Sequence, residues 1–246
     1  MQVVRIQVLV NIMLFLLMAL LLKREQISIF SISNNWDFSW LRSWLKIGGM
    51  SGLESFVRNA AFILMVLRLV NVVAEQGSFW VTNNFIWGWL LLPVLQLGEL
   101  IKRDSAVISS RYRENIKGYF ALTGIFILFW GLTLPGWGIF INKVMGVENY
   151  QTIFRLTVIS LGFYIVFALN NVADSVFYGR GRTDLMLYQS LIVNTVFYGA
   201  AFILYRMGVF VPSLTGIAIM FGTGMLFDSI ITYIMFVVFI KKEIFS

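Results

Sequence analysis

Glu54 and Arg58 stand four residues apart inside the apolar stretch 47–74. On a helix that spacing puts both on one face with the acid N-terminal, the favourable order for an ion pair. Asn59 flanks the same face. Further along, Asn170, Asn171 and Asp174 fall within little more than one helical turn. Asp228, with Ser229 beside it and Tyr233 a turn onward, is the acid of the stretch 214–240. Ionisable groups in such surroundings are paired, face a cavity or serve a function, because an unpaired charge there costs about 2.5–3.5 kcal/mol on insertion scales. For Glu54, Arg58 and Asn59 two readings stand: a polar wall that meets a solute, an ion or a proton, or a structural pair or an arginine snorkelling toward an end of a rather long helix. For Asn170, Asn171, Asp174 and Asp228 the choice is a cation or proton site against hydrogen bonds that hold helices together.

Other chemistry is absent by composition. The chain has no His and no Cys, which removes the usual zinc sites, His-based acid–base work and thiol chemistry. Asp174 and Asp228 could be pictured as the carboxylate pair of an intramembrane enzyme, but no catalytic signature surrounds them, and enzymatic activity is not expected.

The elements that must position these residues are long apolar helices. The sequence is 59% hydrophobic and 13% charged, where soluble domains carry about 25% charged residues. A membrane-crossing helix needs about 20 apolar residues. Stretches 3–22, 47–74, 79–101, 118–141, 152–177, 185–207 and 214–240 meet that length, bounded by charges or by turns such as Glu75-Gln76-Gly77 and Gly208 to Pro212. Strands of this length would leave open edges that lipid cannot satisfy. The expected fold is therefore all-α, a polytopic bundle of about seven transmembrane helices whose surroundings are membrane lipid. The net charge of +7 fits membrane orientation rather than a nucleic-acid partner, because the basic residues collect in the gaps between apolar runs.

Those gaps alternate. Lys23, Arg24, Arg42 and Lys46, then Lys102, Arg103, Arg111, Arg113 and Lys117, then Arg180 and Arg182, then Lys241 and Lys242 fall on one side. Arg5, Lys143, Arg206 and Arg155 fall on the other. The richer side is expected to be cytoplasmic, with the C-terminus there and the protein in the plasma (inner) membrane. Val3–Leu22 is longer than a signal-peptide core and lacks a small-residue cleavage site. Trp36, Trp40 and Trp44 recur every fourth residue, which suits an interfacial helix or a Trp-rich connector between the first two spans.

Two segments carry a resemblance to a known family. Lys46-Ile47-Gly48-Gly49-Met50-Ser51-Gly52-Leu53-Glu54-Ser55 resembles the start of the seventh helix of multidrug and toxin extrusion (MATE) transporters. Phe177-Tyr178-Gly179-Arg180-Gly181-Arg182-Thr183 resembles the turn after that family's tenth helix. The resemblance implies that 1–22 corresponds to the last helix of an N-terminal lobe, 23–45 to a cytoplasmic inter-lobe linker, and 46–246 to a six-helix C-terminal lobe. It further implies a secondary active transporter, or its C-terminal half, that exports amphipathic or cationic drug-like small molecules in antiport with sodium or protons and needs no other cofactor. A missing N-terminal lobe or a second chain would complete the cavity. Flippases for lipid-linked oligosaccharides share the architecture and are the alternative. Two positions depart from the family pattern: Met50 replaces a usual Pro, and Phe167 and Asn170 stand where one branch carries the Asp and Gln of a cation site.

The charge alternation sets a topology test. Reporter fusions after Arg24, Ser110 and Arg182 should score cytoplasmic, and fusions at Gln76, Gly146 and Val209 external. A cytoplasmic signal at Gly146 would sink the arrangement.

Overall fold

The computed structural model describes residues 2–25, 38–107 and 111–245. Trp36 lies outside them, so the three-Trp face is not described as a whole. Of the described residues 91% are helical, and they contain no strand. It divides into two compact units, Met1–Arg42 and Ser43–Ser246. Helix α1 (Gln2–Arg24) belongs to the first.

Helix α2 spans Phe38–Ala61. It continues through a π-helical turn, Phe62–Leu67, into α3 (Arg68–Val73), and ends on Ala74 in the left-handed conformation. The stretch 79–101, expected as one straight span, is bent. Helix α4 (Gln76–Phe85) passes into a π turn, Ile86–Leu90, and α5 (Leu92–Ala106) leaves at 53°. Pro93, at the start of α5, has no N–H to continue the ladder. The indole N–H of Trp130 donates to the Leu90 carbonyl at 3.1 Å, so backbone at the bend is satisfied from inside the bundle.

Helix α6 spans Arg111–Ile139, α7 Tyr150–Gly179, α8 Thr183–Ile192, α9 Gly199–Arg206 and α10 Leu214–Phe245. A π turn, Val193–Tyr198, joins α8 to α9. Among the described residues five helices are long and apolar enough to cross a membrane, or six if the bent α4–α5 pair counts as one span.

Helix α7 is central, packing against α4, α5, α6, α8 and α10. Three apolar clusters surround it. Phe85, Leu91, Trp130, Trp137 and Tyr164 form one, and Ile101, Val176, Phe177, Phe236 and Phe239 another. Met65, Leu69, Phe79 and Ile217 form a third between α3, α4 and α10. On the opposite surfaces Phe56, Leu128, Leu132 and Ile234 stand exposed.

The approach of α5 to α7 depends on glycine. A Cβ at Gly179 would lie 2.4 Å from the Lys102 carbonyl oxygen and 2.7 Å from Ser105 Cβ, both on α5. The first obstacle is backbone and cannot swing aside. Gly179→Ala should therefore cost about 1–3 kcal/mol by forcing the helices apart. Gly131→Ala, where nothing lies within 4 Å, should be neutral or stabilising. Thermal unfolding of the two variants in detergent checks the contrast, and equal melting temperatures would contradict it.

Candidate functional site

The side chains singled out by spacing fall into two connected groups and two outliers. Glu54, on α2, is 2% exposed. Its Oε1 forms an ion pair with Arg58 Nη1, four residues on, at 3.1 Å. Its Oε2 receives the Tyr178 hydroxyl at 3.0 Å and the Ser55 hydroxyl at 3.3 Å. The ion pair expected from the sequence is present, and the sequence reading missed Tyr178. That residue lies one turn beyond Asp174 on α7, so a Tyr at i+4 from a buried acid was the available signal.

The contact between α2 and α7 joins the two motifs. Thr183 Oγ1 donates to the Ile47 carbonyl at 3.1 Å. Gly181, at φ +66°, would place a Cβ 3.6 Å from the Ile47 side chain. Lys46–Ser55 and Phe177–Thr183, over 120 residues apart in the chain, are thus neighbours. At the same turn Arg182 makes two 2.9 Å hydrogen bonds to Asp184, and these hold the guanidinium pKa above its ordinary value.

The second group lies between α7, α8 and α10. Asn170 Nδ2 donates to Asp174 Oδ2 at 3.1 Å and to Asp228 Oδ2 at 3.4 Å. Gln189 Nε2 donates to Asp228 Oδ1 at 2.7 Å. Thr232 Oγ1 stands 3.5 Å from Asp174 Oδ1. One amide therefore bridges two carboxylates from different helices. Asn170 and Gln189 are buried, while both aspartates are half-buried. Among the described residues neither Asp174 nor Asp228 has an ion-pair partner.

The amides use only their N–H groups. Asn170 Oδ1 and Gln189 Oε1 are buried and receive no hydrogen bond. Buried acceptors of this kind are uncommon and call for an explanation. The arrangement holds two carboxylates and two free amide oxygens with no cation among them. Glu54 and Arg58 lie within electrostatic reach of both aspartates, but that pair is internally balanced.

The outliers are Asn171 and Asn59. Asn171 turns away from the aspartates: its Nδ2 donates to the Val94 carbonyl at 3.2 Å, and Gly98 on α5 leaves room for it and for Ser175. Adjacent residues on a helix point about 100° apart, so Asn170 and Asn171 serve different neighbours. Asn59 is exposed and outside both groups. Gln189 and Thr232 were not singled out from the sequence. Gln189 is an amide within an apolar stretch, a weak but readable signal, whereas Thr232 is indistinguishable from a helix-packing threonine.

Compared with protein-family models, with curated proteins and with solved structures, the chain has no match.

Tyr178 and Glu54 form a cross-helix hydrogen bond to a buried carboxylate, which leaves a testable coupling. Tyr178→Phe should lower stability by about 1–3 kcal/mol, the range for leaving a buried group without its donor. The same change in a Glu54→Gln background should cost less, because the charged acceptor is gone. A double-mutant cycle in thermal stability measures the difference, and strict additivity would show that the two residues do not interact.

Proposed function

We propose that this chain is a multi-pass membrane protein forming one lobe of a secondary active transporter, with its coupling-ion site at Asp174, Asp228, Asn170 and Gln189. The observation that carries the reading is a buried polar cluster with two carboxylates, two undonated amide oxygens and no cationic partner. In a bilayer such a cluster is costly unless it exchanges a positive charge, and intramembrane acids typically mark ion or proton pathways.

The amides supply a means of exchange. With their N–H groups turned inward, as here, they satisfy ionised carboxylates. Rotation of each amide by half a turn brings the oxygens inward instead, where they accept a hydrogen bond from a protonated carboxyl or ligate a sodium ion beside the carboxylate oxygens. Hard cations favour such all-oxygen surroundings. Release of the ion reverses the rotation. Both states give each carboxylate a polar partner, so loading and unloading can be coupled to movement of the helices that carry the residues.

In this reading α1 and the six crossings from α2 to α10 give the seven spans, the C-terminus is cytoplasmic, and the membrane is the plasma (inner) membrane. A second lobe or a second chain supplies the opposite wall of a cavity through which amphipathic small molecules are exported. The MATE-like motifs support this assignment because they meet where the C-terminal end of α7 packs beside the middle of α2. The flippase alternative is favoured by one observation, the exposure of Arg58.

The test needs no knowledge of the solute. Purified full-length chain in nanodiscs is titrated with sodium chloride or choline chloride by calorimetry, with a pH indicator to record proton uptake or release. Saturable sodium binding, or a stoichiometric proton exchange, is expected in the parent chain. Asp228→Asn and Asp174→Asn should each weaken it at least about tenfold, equivalent to about 1.4 kcal/mol, while Asn59→Ala leaves it unchanged. Binding of neither ion, or binding indifferent to both aspartate changes, would refute the site.

A further inference from the structure

Between α4, α7 and α10 the lobe holds a small cavity. It measures about 20 Å³, room for a single water. Thr82 and Asn83 of α4 and Ser160 and Tyr164 of α7 line it. Ser160 is 7% exposed, and among the described residues its hydroxyl has no hydrogen-bond partner. A buried hydroxyl left open toward a cavity is a place for water.

The cavity lies on the way to the two aspartates. Tyr164 and Gly222 both line it. Tyr164 precedes Asn170 on α7 by six residues, and Gly222 precedes Asp228 on α10 by six, about 9 Å of helix in each case. Tyr198 belongs to that interval. Its hydroxyl lies against Gly224, where a Cβ would stand 2.5 Å from the oxygen, and Gly224 is one turn before Asp228. Tyr198 is within electrostatic reach of both Asp228 and Tyr164, and among the described residues its hydroxyl too has no hydrogen-bond partner. Tyr164 donates to Asn83 Oδ1 at 3.4 Å and accepts from Trp87 Nε1 at 3.3 Å. Ser160, Tyr164 and Tyr198 thus place hydroxyls at intervals from the cavity to Asp228. Each offers a small cation one oxygen, enough to replace a water but too few to hold the ion, which suits passage better than storage.

The far end of this file is near the starts of three helices. Phe79, Leu156 and Ala218 line the cavity and fall within the first two turns of α4, α7 and α10. The positive ends of α4 and α7 oppose a cation, but an acid stands just before each, Glu75 and Glu148.

We infer that this cavity is a hydrated vestibule through which the coupling cation reaches Asp228 from the end where α4, α7 and α10 begin, with the Ser160, Tyr164 and Tyr198 hydroxyls as its steps. The inference rests on the coupling-ion reading above and adds a route to it. The charge alternation puts that end outside. Because the route runs within one lobe, the ion and the exported solute need not share an entrance.

The chain has no cysteine, so single Cys variants report access one position at a time. Silver ion, close to sodium in size, replaces the proton of a hydrated thiol, which passes to water, and leaves a neutral silver thiolate; a thiol in hydrocarbon stays protonated and inert. Silver nitrate is added to spheroplasts or to inverted vesicles carrying the full chain, and surviving thiols are counted with a maleimide dye after denaturation. Ser160→Cys should react from the same face as Val211→Cys, an exposed position in the turn before α10. It should also react at least about tenfold faster than Leu128→Cys, on the exposed apolar surface of α6. If Ser160→Cys does not fold, Thr82→Cys makes the same test from α4. Asp228→Asn should slow silver at Ser160→Cys severalfold and leave Val211→Cys unchanged, because the carboxylate draws a cation through the file only if the two are connected. A cavity thiol as inert as Leu128→Cys, reaction only from the opposite face, or a rate indifferent to Asp228→Asn would overturn the route. None of these readouts needs an ion bound at the aspartates, so failure of the coupling-ion site is seen separately, in the sodium and proton titration of the parent chain.

Discussion

Polar groups inside an apolar helical bundle must find partners within it, and in this chain most of that demand falls on α7. The helix is surrounded by five others and carries amides, hydroxyls and an acid along much of its length. Several helices, α2 among them, are held at the height where they can answer one of these groups. Helix α5 offers the Val94 carbonyl to Asn171. Helix α2 offers Glu54 to Tyr178. Helices α8 and α10 bring Gln189 and Asp228 toward Asn170. Change the rotation of α7 and all these pairings fail together, which ties the position of the acids to the packing of the whole lobe.

Close packing makes this possible. Gly98 and Gly179 let α5 lie against α7 closely enough for side chain to reach backbone, and Gly222 on α10 fits against the ring of Phe163 on α7. Small residues of this kind let helix backbones approach closely, which strengthens packing and interhelical hydrogen bonds. The same glycines that give α7 its neighbours therefore also set the separation across which Asp174 and Asp228 share an amide. The bend before α5 belongs to this arrangement, with Pro93 interrupting the ladder and Trp130 covering a carbonyl at the break.

The two polar groups use opposite electrostatic solutions. At Asp174 and Asp228 the acids lack cationic partners and depend on amides, so the site is receptive to positive charge. At Arg58 the cation is balanced by the Glu54 carboxylate. Tyr178 stands between them, donating to Glu54 and sitting one turn from Asp174 on the same helix.

What the sequence alone determines here is local. The long apolar runs foretell the helices, because a run of that length has few other ways to satisfy its backbone. The Glu54–Arg58 pair follows from a spacing of four, since both residues ride on one rigid helix and need no knowledge of any other. The bend near Leu91 was not legible as an angle, although Pro93 marked a weak point in the ladder. The partners of Asp228 were decided only by tertiary structure, as were the divergence of Asn171 from Asn170, the role of Tyr178 and the meeting of the two motifs. Each depends on how far a neighbouring helix is rotated and slid along its axis. That register is set by the summed packing of glycines and rings over several helices, and no single stretch of residues encodes it.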